Sequence, residues 1–222
     1  MTVRDRGALA ALAAGAAALT VAGLVACGAQ PAGNVGAGEA ERLASPAAPA
    51  TGSGSDPSAS GVPVAAGALP RDTTVPPTRL AIGKLGLAAT VSPVGVNQRS
   101  GEFEVPPSVD RVGWYRYGPG LEATAGSVVI AGHVDSATQG RGAFYRLREL
   151  TRGDRLTVTG SDGRQRDYTV VAREEYAKTK IPLNRYFARD GAPRLTLITC
   201  GGPFDAATRH YRDNIVVTAT PS

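Results

Sequence analysis

Few side chains in this sequence can attack a carbonyl or move a proton near neutral pH. Beyond residue 72 there is one cysteine, Cys200, and there are two histidines, His133 and His210. An ionised thiol is the strong nucleophile of that set, and an imidazole is the natural proton carrier beside it. Cys200 closes the apolar string RLTLITC (194–200) and precedes Gly201-Gly202-Pro203, a pattern that predicts a strand opening into a loop. His133 closes SVVIAGH (127–133) ahead of a segment rich in Gly and polar residues. Two such strand ends can converge on one rim of a sheet. Arg212 precedes the run NIVVTAT (214–220), close enough in sequence to Cys200 for the two strands to be neighbours. A guanidinium beside a thiol favours the thiolate and can hold a developing oxyanion. Each residue also has a plainer reading. A lone cysteine on a strand is often a small buried hydrophobe, and Arg212 is one of 17 arginines after residue 72. Asp135, two residues past His133, either orients the imidazole or is a solvated loop acid. His210 reads as a bystander.

These residues need elements to carry them. From Thr78 onward, short apolar runs alternate with Gly, Pro and Asp turns. The runs are 79–82, 89–96, 102–106, 127–134, 155–160, 167–174, 194–200 and 214–220. Most show two-residue alternation or β-branched enrichment, and no 3.6-residue period lasts beyond about two turns. Gly160-Ser161-Asp162-Gly163 is a hairpin signal. Short helical turns are expected at Phe144, Leu147 and Leu150, and near Leu183 to Arg189. Eight short strands without long helices predict an all-β barrel or sandwich.

The rest of the 222-residue chain is of another kind. All twelve aromatic residues lie after residue 102. Residues 1–72 carry a net charge of −1 and residues 73–222 a net charge of +6. Arg4 and Arg6 precede an uncharged apolar run from Gly7 to Ala26, the signature of an export signal. The run ends in Leu24-Val25-Ala26-Cys27, which resembles a bacterial lipobox with Cys27 as the lipid attachment point. An uncleaved signal anchor reads the same residues equally well, and both place the remainder outside the cytoplasmic membrane. Residues 29–72, built from Ala, Gly, Pro and Ser, are expected to be a disordered linker, since they offer too little apolar surface to offset the entropy of ordering. As a coil they would span roughly 35–40 Å. The organisation predicted is an export segment (1–28), a linker (29–72) and one folded domain (73–222).

The string TLITC (196–200), an apolar strand into AGH (131–133) and an Arg ahead of the next strand together resemble a sortase. The segments TCGGPFD…RHYRDNIVV (199–217) and GAFYRLRELTRGDRLTV (142–158) are most similar to the actinobacterial class F group. The resemblance covers residues 75–220 and implies an eight-stranded sortase-type β-barrel with its site at the rim. It implies that Cys200 attacks the Thr–Gly carbonyl of an LPXTG-like sorting signal on a surface protein, forming a thioacyl enzyme. His133 would then serve as acid and later as base, and Arg212 would steady the oxyanion. An amine of a peptidoglycan-type acceptor would resolve the intermediate. Asp213 and Asn214 intervene between Arg212 and the apolar strand, a departure that leaves Arg209 as a second candidate. Thr199 is a candidate oxyanion donor, and Ile181, Pro182 and Leu183 are candidates to line the sorting-signal pocket. Glu102, Glu104, Glu174 and Glu175 resemble the acids of the calcium sites of some sortases, but scattered strand-end acids are ordinarily solvated, so no metal and no cofactor is expected.

Two cysteines exclude a disulfide-stapled scaffold and a Cys-based zinc module. The strings SHGC and CGSCW, marks of other cysteine transpeptidases and peptidases, are absent. Basic residues are scattered, and export removes nucleic acid as a partner. A monomer tethered to the outer face of the membrane is expected. The competing reading is a non-catalytic exported β-barrel that binds a ligand and leaves Cys200 inert.

Overall fold

A computed structural model describes residues 33–45, 74–97 and 103–222. Cys27, the export segment and most of the linker fall outside the described residues. Helix α1 (Ala37–Ala44) comes first. Strands β1 (Pro77–Ile82), β2 (Leu87–Val94), β3 (Val112–Tyr115) and β4 (Ser127–Gly132) follow. A small hairpin, β5 (Asp135–Ser136) and β6 (Gly140–Arg141), leads to β7 (Arg155–Gly160) and β8 (Gln165–Ala177). A four-residue helix α2 (Leu183–Tyr186) precedes the long strands β9 (Arg194–Asp205) and β10 (His210–Pro221). Eight strands close a barrel in the order β1-β2-β3-β4-β9-β10-β8-β7. The β2–β3 and β4–β9 pairs are parallel and the other pairs antiparallel. Closure gives every barrel strand a neighbour on each side, although β8 runs past the end of β7. Among the described residues no helix is long and apolar enough to cross a membrane.

Alternation along the strands sorts side chains between two cores. Leu195 and Leu197 of β9, with Ile215 and Val217 of β10, point into the barrel and are buried, and Phe144, Leu147 and Leu150 belong to the same inner core. That trio forms the helical turn read from its spacing, at Leu147–Glu149. The alternate residues, Val129, Ile198 and Val216, form a second cluster on the outer face with Tyr115, Tyr186 and Phe187. The even-numbered positions of β9 therefore face outward, and Cys200 is one of them.

One strand differs from expectation. Residues 103–106 make only an isolated bridge, Val96 to Phe103, because Pro106 and Pro107 have no N–H to extend a ladder. The strand that takes the place is Val112–Tyr115. Residues 33–45, read as part of the linker, also differ. Val35 pairs with Arg173 through two backbone bonds of 2.8 Å, and α1 packs against β8 with Ala40 buried.

Candidate active site

His133 lies immediately past β4, where the chain leaves the barrel. Its backbone is clamped from below by the segment after β6. Phe144 N–H donates to the His133 carbonyl at 3.0 Å, and Gly142 N–H to the Val134 carbonyl at 2.9 Å. The approach is so close that a Cβ on Gly142 would stand 2.3 Å from the His133 oxygen. On the ring, Nε2 lies 3.0 Å from the Pro106 carbonyl. A carbonyl oxygen only accepts, so Nε2 carries the proton of that bond, and Nδ1 is the nitrogen left to exchange protons with a reactant.

Cys200 is half-buried, and the strand does not end there, contrary to the expectation from Gly201-Gly202-Pro203. β9 continues to Asp205, paired with a β10 that begins at His210. The two strands thus run past the barrel as a long hairpin. The ladder shifts register between Tyr211 and Asp213, where Gly202 takes a left-handed φ of 70° opposite them. Gly202 permits this turn because it has no Cβ. Cys200 is a free thiol directly opposite Asn214.

The parallel pairing of β4 with β9 brings the two strand ends together. Cys200 and His133 line one cleft of about 640 Å³. Thr199 ties the same two strands: its buried hydroxyl donates to the Gly132 carbonyl at 2.8 Å, one residue before His133. That hydroxyl faces the barrel side and is already committed, so it holds the two candidate catalytic residues in register.

Arg212 does not line this cleft. It lies two residues from Asn214 on β10, so strand alternation gives it the face of Cys200, but its side chain is 66% exposed and its guanidinium pairs with Asp205 at 3.1 Å. The Asp205 carboxyl is held below its usual range by the backbone N–H of Thr208, by Arg212 and by the backbone N–H of Ala207. Arg209 lines the cleft at a left-handed φ of 58°. His210, the apparent bystander, lines it as well, as do Lys178, Phe204, Asp135 and Tyr211. Asp135 bonds Tyr211 Oη at 2.5 Å.

Ile181 and Leu183 pack against the outer cluster that contains Ile198, on the barrel face that carries Cys200. Pro182, half-buried, precedes α2. None of the three lines the cleft; Lys178, from the same connection, does. Two of the acids considered for calcium are engaged within the protein. Glu174 is buried, accepts hydrogen bonds from the hydroxyls of Tyr176 at 2.6 Å and Tyr186 at 2.7 Å, and pairs with Arg185. Glu104 accepts the Gly95 N–H. Glu102 falls outside the described residues. Among the described residues no group of three or more His, Cys, Asp or Glu is gathered to hold a metal ion.

A thiol and an imidazole on one cleft, with cations that have no ion-pair partner among the described residues, can perform acyl transfer through a covalent thioester. Comparisons with known proteins point the same way. No curated protein matches the chain in sequence. Solved structures share the fold. Sortase C-1 from Actinomyces oris is 18% identical with a TM-score of 0.50, over 65% of this chain and 72% of that one. A lid mutant of sortase A from Corynebacterium diphtheriae is 18% identical with a TM-score of 0.50, over 69% of this chain and 74% of that one. Pilus-related sortase C of Group B Streptococcus is 14% identical with a TM-score of 0.50, over 68% and 69%. The sequence model of the sortase domain matches residues 80–222, from β1 to the end of β10 and beyond. With the barrel, the cleft and that match in agreement, the chain belongs to the sortase family of cysteine transpeptidases.

Proposed function

We propose that this sortase cleaves an LPXTG-like sorting signal of a surface protein between Thr and Gly and passes the acyl group to an amine of the cell wall. Cys200 is the nucleophile. His133 protonates the leaving amine through Nδ1 while Pro106 holds Nε2, and later takes a proton from the incoming amine. The cleft shared by Cys200 and His133 is the observation that carries this reading. Thr199 acts through position, and Ile181, Pro182 and Leu183 wall the sorting-signal groove on the outer face. The N-terminal segment, with Cys27 as a lipid site or within a signal anchor, tethers the monomer outside the cytoplasmic membrane, and the class F pattern of residues 142–158 and 199–217 is its nearest subtype.

Arg212 steadies the oxyanion after leaving Asp205; an exposed ion pair of that kind is screened by solvent and weak, so release costs little. A second assignment gives the role to Arg209, which already lines the cleft.

The test is incubation of the full chain with LPXTG-like peptides and an amine acceptor. Wild type should yield the new amide and a Cys200 adduct heavier by the acyl group. Cys200→Ala should give neither, and His133→Ala should lower the rate by about 100-fold or more. No amide and no adduct from wild type would leave the non-catalytic binding module as the reading of this cleft, and transpeptidation that survives Cys200→Ala would remove Cys200 as the nucleophile.

A further inference from the structure

We propose that Asp135, steadied by Tyr211, receives the ammonium group of the acceptor that resolves the acyl enzyme. The inference rests on the transpeptidase reading and adds to it where the second substrate binds. Asp135 is the one carboxylate among the described residues that line the cleft of Cys200 and His133. Its Oδ2 accepts the Tyr211 hydroxyl at 2.5 Å, and among the described residues nothing donates to its Oδ1. The obvious neutralising partner is turned elsewhere. Arg141 stands opposite Asp135 in the β5–β6 hairpin, but its guanidinium lies over the Tyr145 ring at 4.5 Å. A half-buried carboxylate with one oxygen bound to a phenol and the other open suits a primary ammonium, which donates up to three hydrogen bonds.

The neighbours sharpen the choice of ligand. Lys178, Arg209 and His210 reach the same cleft from the β8–β9 connection and the β9–β10 hairpin. The charges of Lys178 and Arg209 oppose general attraction of cations, so selection falls to the short contact with Asp135. Phe204, 55% exposed, stacks edge-on against Tyr211 with centroids 5.2 Å apart. It gives an apolar lip for the carbon chain that carries the amine. Asp135 follows His133 by two residues, so a bound ammonium stands beside the imidazole that must deprotonate it. In the transfer, the ammonium gives one proton to His133 and the free amine attacks the thioester carbon. The C–N bond forms, the C–S bond breaks, Cys200 leaves as thiolate, and the second nitrogen proton passes to solvent.

The experiment separates the two substrates. Acyl-enzyme formation from an LPXTG peptide is followed by mass spectrometry without amine, and transfer is followed against triglycine concentration, for the full chain, Asp135→Asn and Tyr211→Phe. Expected is unchanged acylation in all three, with the KM for triglycine raised about tenfold in Asp135→Asn, the scale of one lost charge-assisted contact, and less in Tyr211→Phe. Normal acylation with an unchanged triglycine KM in both variants overturns the acceptor site alone. No acylation in wild type overturns the transpeptidase reading, and the acceptor site with it.

Discussion

Tyr211 meets Asp135 through a bond that the phenol donates, so the bond needs the phenol protonated. The hydrogen bond first, then burial, pushes the phenol up to about 12, against about 10 for an ordinary tyrosine. The sign follows from the bond: its contribution is fully present below the ordinary tyrosine range and is lost as pH rises through about 12. Ultraviolet titration of wild type minus Tyr211→Phe should therefore show a tyrosine still protonated near pH 11, and in Asp135→Asn its midpoint should fall back toward about 10. A wild-type midpoint near 10 would show that the pair does not form. The two arginines differ at the same scale. Arg212→Ala should lower kcat/KM for acylation by about 100- to 1000-fold, the cost of one oxyanion donor, while Arg209→Ala costs less than about tenfold. The opposite order, measured with a reporter peptide, assigns the oxyanion role to Arg209.

The elements that hold these residues were legible to different degrees. β7 shows plain alternation, and its expected limits of 155–160 match the strand found. Val112–Tyr115 shows none: all four residues are buried, one is glycine, and a strand covered on both faces has no polar beat to betray it. Glu-Phe-Glu-Val at 102–105 alternates well but runs into two prolines. Helix α1 was hidden in an Ala/Gly-rich stretch, since eight residues owe their helicity to packing rather than propensity. His133 and Cys200 were legible because each closes an apolar run. Lys178, Phe204 and Tyr211 were not, because their meeting depends on β9 and β10 running past the barrel and on the turn at Gly202. The clamp on His133 yields a prediction of its own. Alanine at Gly142 would force a methyl against the His133 carbonyl, where a Cβ has only 2.3 Å. Gly142→Ala should lower acylation kcat/KM by about tenfold or more, since small displacements of a catalytic group are costly. Alkylation of Cys200 by a small reagent should stay near the wild-type rate. Equal loss in both assays would mean general unfolding instead.

Over the whole molecule, the segment 33–45 joins the barrel at a place that barrel closure leaves uncovered. β7 pairs with β8 only through Thr169, and β8 continues to Ala177. Val35 takes the open side of β8 at Arg173, and Asn34 Oδ1 accepts the Glu175 N–H at 2.8 Å. Further along, the Leu43 carbonyl accepts from Ala192 N–H at 2.9 Å and from Arg194 at 3.2 Å, and Glu41 pairs with Arg185 at 2.9 Å. These contacts reach the β8–β9 connection, whose Ile181 and Leu183 pack on the outer face that bears Cys200. Ordering thirteen residues costs roughly 1–2 kcal/mol each, which offsets most of the gain, so the net contribution should be modest. Removal still leaves two buried arginines, Arg173 and Arg194, each short of one carbonyl acceptor, since the Gly33 and Leu43 oxygens go with the segment. It also bares a strand edge able to pair with another copy. A chain beginning at residue 74 should therefore melt about 3–8 °C below one beginning at residue 33, the shift expected for about 1–2 kcal/mol in a domain of this size, and should self-associate at concentrations where the longer chain stays monomeric. Calorimetry and light scattering on the two chains decide it. Equal melting temperatures with no new association would mean that residues 33–45 rest on the barrel without supporting it.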